Sequence, residues 1–297
     1  MPPEIKFDLL TYLPGSEYQS RIEPYQRELL PFTERMRELV DENNPIAHHQ
    51  AFKDSTNYCR WPIRQMEYSF FIRHLPKTPN GLAIDAGAGV TPFPYLLIKK
   101  GWQTIATDIE ADQMELLSAY GKEVYGISAT HLTEDICKMS FPNQHFSLLT
   151  CVSVLEHLQH IDVPAALAEL VRISKPGARL IITTDVYPID HPHLPDGYGA
   201  FTAKKIKLIY APLAKACGVY APFKALCKRL KHLTMKNLEA FWTEHWQPGF
   251  WEGNNRGYGA IGMVFDLPKD EALCNQLKIE LKNIPQKKTI FGRKVWQ

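Results

Sequence analysis

Residues 82–108, LAIDAGAGVTPFPYLLIKKGWQTIATD, decide the fold. LAIDA is a short apolar run ending in Asp85, with the length and composition of a buried strand. A Gly-x-Gly turn follows at Gly87, Ala88 and Gly89, then a helix-like segment (92–101), then a second β-rich run, WQTIATD, that ends in Asp108. Strand, glycine turn, helix and strand in this order make the unit from which a mostly parallel sheet covered by helices is built.

Working outward, the same alternation continues to about residue 185. EVYGISA (123–129) reads as a third strand, HFSLLTCVSV (145–154) as a fourth, and ARLIITTD (178–185) as a fifth, entered through Lys175-Pro176-Gly177. The helix-like segments ADQMELLSAY and VPAALAELVRIS lie between them. The expected organisation is a helical N-terminal cap (1–80), an α/β doubly wound core (81–185), a basic helical lid insertion (186–237), and a C-terminal part of the core (238–297). That last part contains a helix, TMKNLEAFWTEHW, and a final strand, YGAIGMVFDL (258–267). WPIRQMEYSFFIRHL is expected to be the helix leading into the first strand, and Pro24 and Pro31 to mark helix starts or breaks.

The chemistry is concentrated at the glycine turn. Glycines between strand and helix let a ligand approach the backbone, and a carboxylate 23 residues after Asp85, here Asp108, is placed to accept both hydroxyls of a ribose. A nucleoside-containing cofactor is implied. The turn departs from a dinucleotide site in two ways: Pro92 stands where a third glycine belongs, and Asp85 precedes the first glycine. A pyrophosphate is disfavoured beside a carboxylate, whereas the ammonium of an amino-acid tail is attracted to it. S-adenosylmethionine therefore suits the loop better than NAD.

With these motifs in order, residues 82–185 resemble the class I S-adenosylmethionine-dependent methyltransferases of the small-molecule group. The resemblance implies a seven-stranded sheet whose last strand is antiparallel, which YGAIGMVFDL can supply. It also implies that Asp85, Ala86, Gly87, Ala88, Gly89 and Ser153 line the cofactor, that Asp108 takes the ribose, and that Ile109, Asp135 and Ile136 surround the adenine. Thr91 stands where many members carry another glycine.

SVLEHL, after the fourth strand, supplies Glu156 and His157 as candidate catalytic residues, with a neutral His157 able to take a proton from the acceptor. The alternatives are that the pair only caps the strand, or that Glu156, His157 and His160 hold a metal; no metal is expected. The loop DVYPIDHPHLPDGYG (185–199) offers His191, His193 and Tyr198, and the later aromatic run offers Trp246, as candidates to bind the acceptor; a solvated loop is the competing reading.

Over the whole chain, 34 Lys and Arg against 32 Asp and Glu leave a formal charge of +2, which by itself selects no polyanionic partner. The distribution is more telling. From Gly197 to Leu238 there is no Asp or Glu and there are nine Lys or Arg, interleaved with apolar residues as in amphipathic helices. Such a lid fits a small-molecule acceptor that is anionic or delivered by a carrier protein. It also permits RNA or protein methylation, although no RNA-binding module is visible; nucleic acid is not the expected partner. A cofactor-binding protein without turnover would keep the same turn. Six cysteines without paired spacing, no leader pattern, and no apolar run of about 20 residues lead to the expectation of a cytoplasmic protein.

Overall fold

The computed structural model describes residues 6–10, 15–159, 162–188, 201–234, 236 and 259–284. Seven strands form one sheet: β1 (Phe7–Leu9), β2 (Leu82–Ala86), β3 (Gln103–Asp108), β4 (Thr130–Thr133), β5 (Phe146–Val152), β6 (Ser174–Val186) and β7 (Gly259–Asp266), in the spatial order β1-β7-β6-β5-β2-β3-β4. Strands β2 to β6 are mutually parallel, and β7 runs antiparallel to β6. The strand order reverses between β2 and β5, where Asp85 pairs with Thr150, and open sheets of this kind bind ligands beyond the strand ends at such a reversal.

One face of the sheet carries α1 (Gly15–Glu28), α2 (Leu30–Asp41), α3 (Gln50–Tyr58), α4 (Pro62–His74), α5 (Phe93–Lys99) and α6 (Ala111–Tyr125). The other carries α7 (Val163–Ile173), α8 (Ala203–Ala216), α9 (Tyr220–Leu230) and α10 (Glu271–Lys282). The exception to amphipathic patterning is α4, which buries nearly its whole surface against α1, β6 and β7. A helix apolar all round belongs inside a protein, so any charged residue on it needs a partner.

The structure departs from the sequence reading at two strands. EVYGISA is not a strand: its first residues extend α6 to Tyr125, Gly126 closes the helix, and the third parallel strand is the short β4 beyond. Phe7–Leu9, within the segment read as helical, pairs with β7 and completes the sheet. Phe7 packs edge-on against Phe223 and Phe265, with ring centroids 5.7 and 5.5 Å apart. Three residues are too few for a periodicity, so their conformation is set by the partner strand. The described part of the basic insertion forms two amphipathic helices, α8 and α9. They bury Ile206, Tyr210, Leu213, Phe223 and Leu226 on the sheet face beside β1, as a covering layer. Pro24 lies inside α1, and Pro31 falls in the first turn of α2. The expected helix TMKNLEAFWTEHW lies almost wholly outside the described residues.

Candidate active site

The site is built at the C-terminal ends of β2, β3, β5 and β6. Asp85, next to last in β2, is fully buried, and Thr150 of β5 donates its hydroxyl to Asp85 Oδ1 at 2.7 Å. Burial pushes the Asp85 carboxyl up to about 7, against the help of the Thr150 hydrogen bond and with a small push from the Asp108 charge. The chain then turns sharply. Gly87 has φ +76°, and a Cβ there would stand 2.3 Å from Val154 Cγ2, so both backbone conformation and the packing of β5's exit demand glycine. Gly89 has φ +52°, but a Cβ there would meet only Gln113 Oε1 at 3.5 Å, in open cavity. The turn is tied to the next strand: Gly87 and Ala88 both donate to the Thr107 carbonyl at 2.8 Å, and the Gly89 amide donates to Asp108 Oδ2 at 2.9 Å.

The turn faces a cavity of about 330 Å³, roofed by α3 and α4 through Asp54, Ser55, Tyr58, Arg64 and Tyr68. The size is within the range of small-molecule sites. Below the roof, Arg64 is almost fully buried and donates to Glu67 and to the Tyr58 hydroxyl, with its guanidinium 4.3 Å from the Tyr58 ring centre. Ser153, in the left-handed region at φ +51° just past β5, donates to the other Glu67 oxygen at 2.5 Å. A non-glycine residue held there marks a bend fixed by its surroundings.

With that geometry in place, residues 84–182 match the family model described as "Methyltransferase domain". The segment is a class I methyltransferase domain. Its cofactor is S-adenosylmethionine. The match covers about a third of the chain, and no curated protein matches. Structural similarity is weak. A geranyl diphosphate C-methyltransferase from Streptomyces coelicolor A3(2), whose structure holds S-adenosyl-L-homocysteine, is 11% identical over 74% of this chain and 85% of its own, with TM-score 0.47. The [4+2]-cyclase SpnF is 15% identical over 65% and 77%, with TM-score 0.42. A methyltransferase from Mesorhizobium loti is 20% identical over 37% of this chain and half of its own length, with TM-score 0.34. At such values these likenesses carry no argument about the chemistry of this methyltransferase.

The residues fit the cofactor. A buried carboxyl at Asp85 suits an ammonium, and the open space beside Gly89 is where a side chain would obstruct a ligand. Of the residues singled out from the sequence, Asp85, Gly87, Ala88, Gly89 and Ser153 line the cavity, and Ala86 is buried behind it. Asp108 touches the same turn from β3. Ile109 follows it, 64% exposed, an unusual position for a large apolar side chain and one that suits a flat ring. Ile136 is buried, whereas Asp135 is exposed and accepts the Cys137 amide at 2.8 Å. These adenine-side residues lie away from the cavity lining.

The SVLEHL pair is split. Glu156 turns inward, accepting the Thr184 hydroxyl at 3.0 Å and the Asp185 amide at 3.1 Å, while His157 is exposed. Burial raises the Glu156 carboxyl, and raises that of Asp185 further, with the Glu156 charge adding to it. Asp185 Oδ1 has no hydrogen-bond partner among the described residues. His160, His191, His193, Tyr198 and Trp246 lie outside the described residues, and among the described ones no cluster of three metal-ligating side chains occurs.

Sequence reasoning missed Arg64, Glu67 and Tyr58. The available signal was an Arg and a Glu three residues apart on the otherwise apolar helix PIRQMEYSFF: two charges that must be buried together.

Proposed function

We propose that the chain methylates an oxygen or nitrogen of a small-molecule acceptor held beyond the C-terminal ends of β5 and β6. The carrying observation is the convergence of Asp85, Gly89 and Asp108 on one turn, beside a cavity roofed by α3 and α4. In this reading Asp108 accepts the ribose hydroxyls, and Ile109 and Ile136 flank the adenine with Asp135 at its amino group. Asp85, Ala86, Gly87 and Ala88 receive the amino-acid end, whose carboxylate Arg64 and Tyr58 are placed to meet. Bound, S-adenosylmethionine supplies an electrophilic methyl carbon on a sulfonium. The chain's own contribution is to hold the acceptor atom in line with that carbon, and helices α3 and α4 exclude water above it.

Two groups can take the acceptor's proton. His157 is solvent-facing just past the end of β5. The second candidate, Asp185, is favoured by its unpartnered buried oxygen, with Glu156 fixing the backbone beside it. An anionic or carrier-borne acceptor is supported by the outer side of α8 and α9 and the residues just after them, where Lys204, Lys207, Lys215, Lys224, Lys228, Arg229, Lys231 and Lys236 are exposed and no acid intervenes. Among the described residues no helix is long and apolar enough to cross a membrane.

The test is transfer from methyl-labelled cofactor to a fractionated cell extract. Label is expected in the small-molecule fraction or in an acidic carrier protein loaded with one; label confined to RNA, or to the side chains of other proteins, would replace this acceptor class.

A further inference from the structure

At the opposite end of the sheet, where β2, β5 and β6 begin, lies a second cavity, of about 840 Å³. Its walls carry Arg73, Lys77, Lys175 and Arg179 against one carboxylate, Asp266. That carboxylate is already engaged. Arg179 donates to it through Nε at 2.7 Å and Nη2 at 3.2 Å, and Lys6 donates to Oδ2 as well. Burial works to raise the Asp266 carboxyl, but the hydrogen bonds from Arg179 and Lys6 outweigh it and hold it below its usual value. Arg179 also donates Nη1 to the His74 carbonyl at 2.9 Å, so it belongs to the wall.

Two of the other three cations have no such neutralisation. Lys77 and Lys175 are exposed and form no ion pair among the described residues. Arg73 donates to the Arg21 carbonyl at 2.6 Å; burial and the nearby Arg21 charge make its own charge harder to hold, against the help of the Asp8 and Glu23 carboxylates. They approach from different sides. Arg73 and Lys77 stand at and just beyond the end of α4, whereas Lys175 starts β6 and reaches across to β2, its Nζ 3.5 Å from where a Cβ on Gly81 would stand. Asn80 and Ser147 add neutral hydrogen-bonding groups to the lining.

We propose that this cavity is an anion site for a soluble ligand carrying two or more phosphate groups, separate from the methyl-transfer site. Arginine and lysine are the side chains that recognise phosphate oxygens, and cations on facing walls span more than one such group. The volume is that of an organic-ligand site, and its concave form favours a soluble anion over a bilayer surface. Mutual repulsion among these cations opposes folding, so an anion bound between them stabilises the folded chain. This inference does not depend on the identity of the methyl acceptor.

Tripolyphosphate is the probe, at ionic strength held constant with sodium chloride, with thermal unfolding and calorimetry as readouts. The expected result is a rise in Tm and saturable binding, weakened at least tenfold in the Lys77→Glu/Lys175→Glu double variant. S-adenosylmethionine affinity should be unchanged in that variant. A Lys122→Glu/Lys282→Glu variant, exposed on α6 and α10 and outside both cavities, should bind tripolyphosphate as the unaltered chain does. Should the double reversal fail to fold, Lys77→Gln/Lys175→Gln carries the same expectation. Absence of binding, binding retained in both cavity variants, or binding lost in the Lys122→Glu/Lys282→Glu variant would overturn the proposal. So would retention on phosphatidylglycerol vesicles that needs Lys77 and Lys175 when tripolyphosphate does not bind, since the surface would then serve a lipid headgroup.

Discussion

Replacing Asp85 by Asn should stabilise the cofactor-free protein at neutral pH while weakening cofactor binding. The ordinary value of this carboxyl is 3.8, and burial raises it to about 7. Between these two values the folded chain keeps a proton that the unfolded chain has lost, so stability falls as pH rises through this window and levels off above it. At about 1.4 kcal/mol per pKa unit, the full cost above pH 7 is about 4 kcal/mol. Asn keeps an acceptor for the Thr150 hydroxyl and removes the ionisation. Urea unfolding without cofactor should therefore show little difference between Asp85→Asn and the unaltered chain at pH 4, and a variant more stable by up to about 4 kcal/mol at pH 8. Cofactor binding should move the other way. An ammonium beside Asp85 favours the carboxylate, so calorimetry of the unaltered chain near pH 6.5, in two buffers of different ionisation enthalpy, should detect proton release that the variant lacks. A variant that is equally or less stable at pH 8, or proton release that persists in it, would refute the argument.

Three further outcomes follow from the same geometry. Asp108→Ala should weaken S-adenosylmethionine binding by about 1.5–3 kcal/mol by calorimetry, because a charge-assisted acceptor is lost and the Gly89 amide is left without its partner. Arg64→Met should destabilise the fold by about 3–5 kcal/mol in urea unfolding, since it leaves Glu67 buried without its cation. If the exposed His157 is the base, His157→Ala should lower kcat by about two to four powers of ten; if Asp185 is the base, Asp185→Asn should lower kcat by that much and His157→Ala should leave it nearly intact.

Where the sequence was readable, it was because one segment carried its whole reason locally. LAIDAGAG shows a buried strand and a turn that needs glycine, and WQTIATD ends in an acid; the structure sets the turn on the cavity and ties Asp108 to that turn. The β7 strand was readable for the same reason, as an uninterrupted apolar run. The failures are nonlocal. Phe7–Leu9 is a strand only because β7 offers an open edge, and EVY is helical because it continues the hydrogen-bonding of α6 up to Gly126.

The site failed to show itself in a more instructive way. Glu156 and His157 are adjacent in sequence, so a reading by position treats them as a pair. One turn of 3₁₀ helix at Leu155–His157 sends the carboxylate inward to β6 and leaves the imidazole outside. The partners that Glu156 meets indirectly, Arg64 and Glu67, come from a helix some ninety residues earlier. Their signal was chemical rather than periodic. Two opposite charges three residues apart on a helix with no polar face can be buried only as a pair, and such a pair is costly to desolvate for stability alone. Ser153 and Tyr58 complete its hydrogen bonds where Arg64 meets the cavity, so the pair ties α4 to the end of β5 and fixes that stretch of the cavity wall.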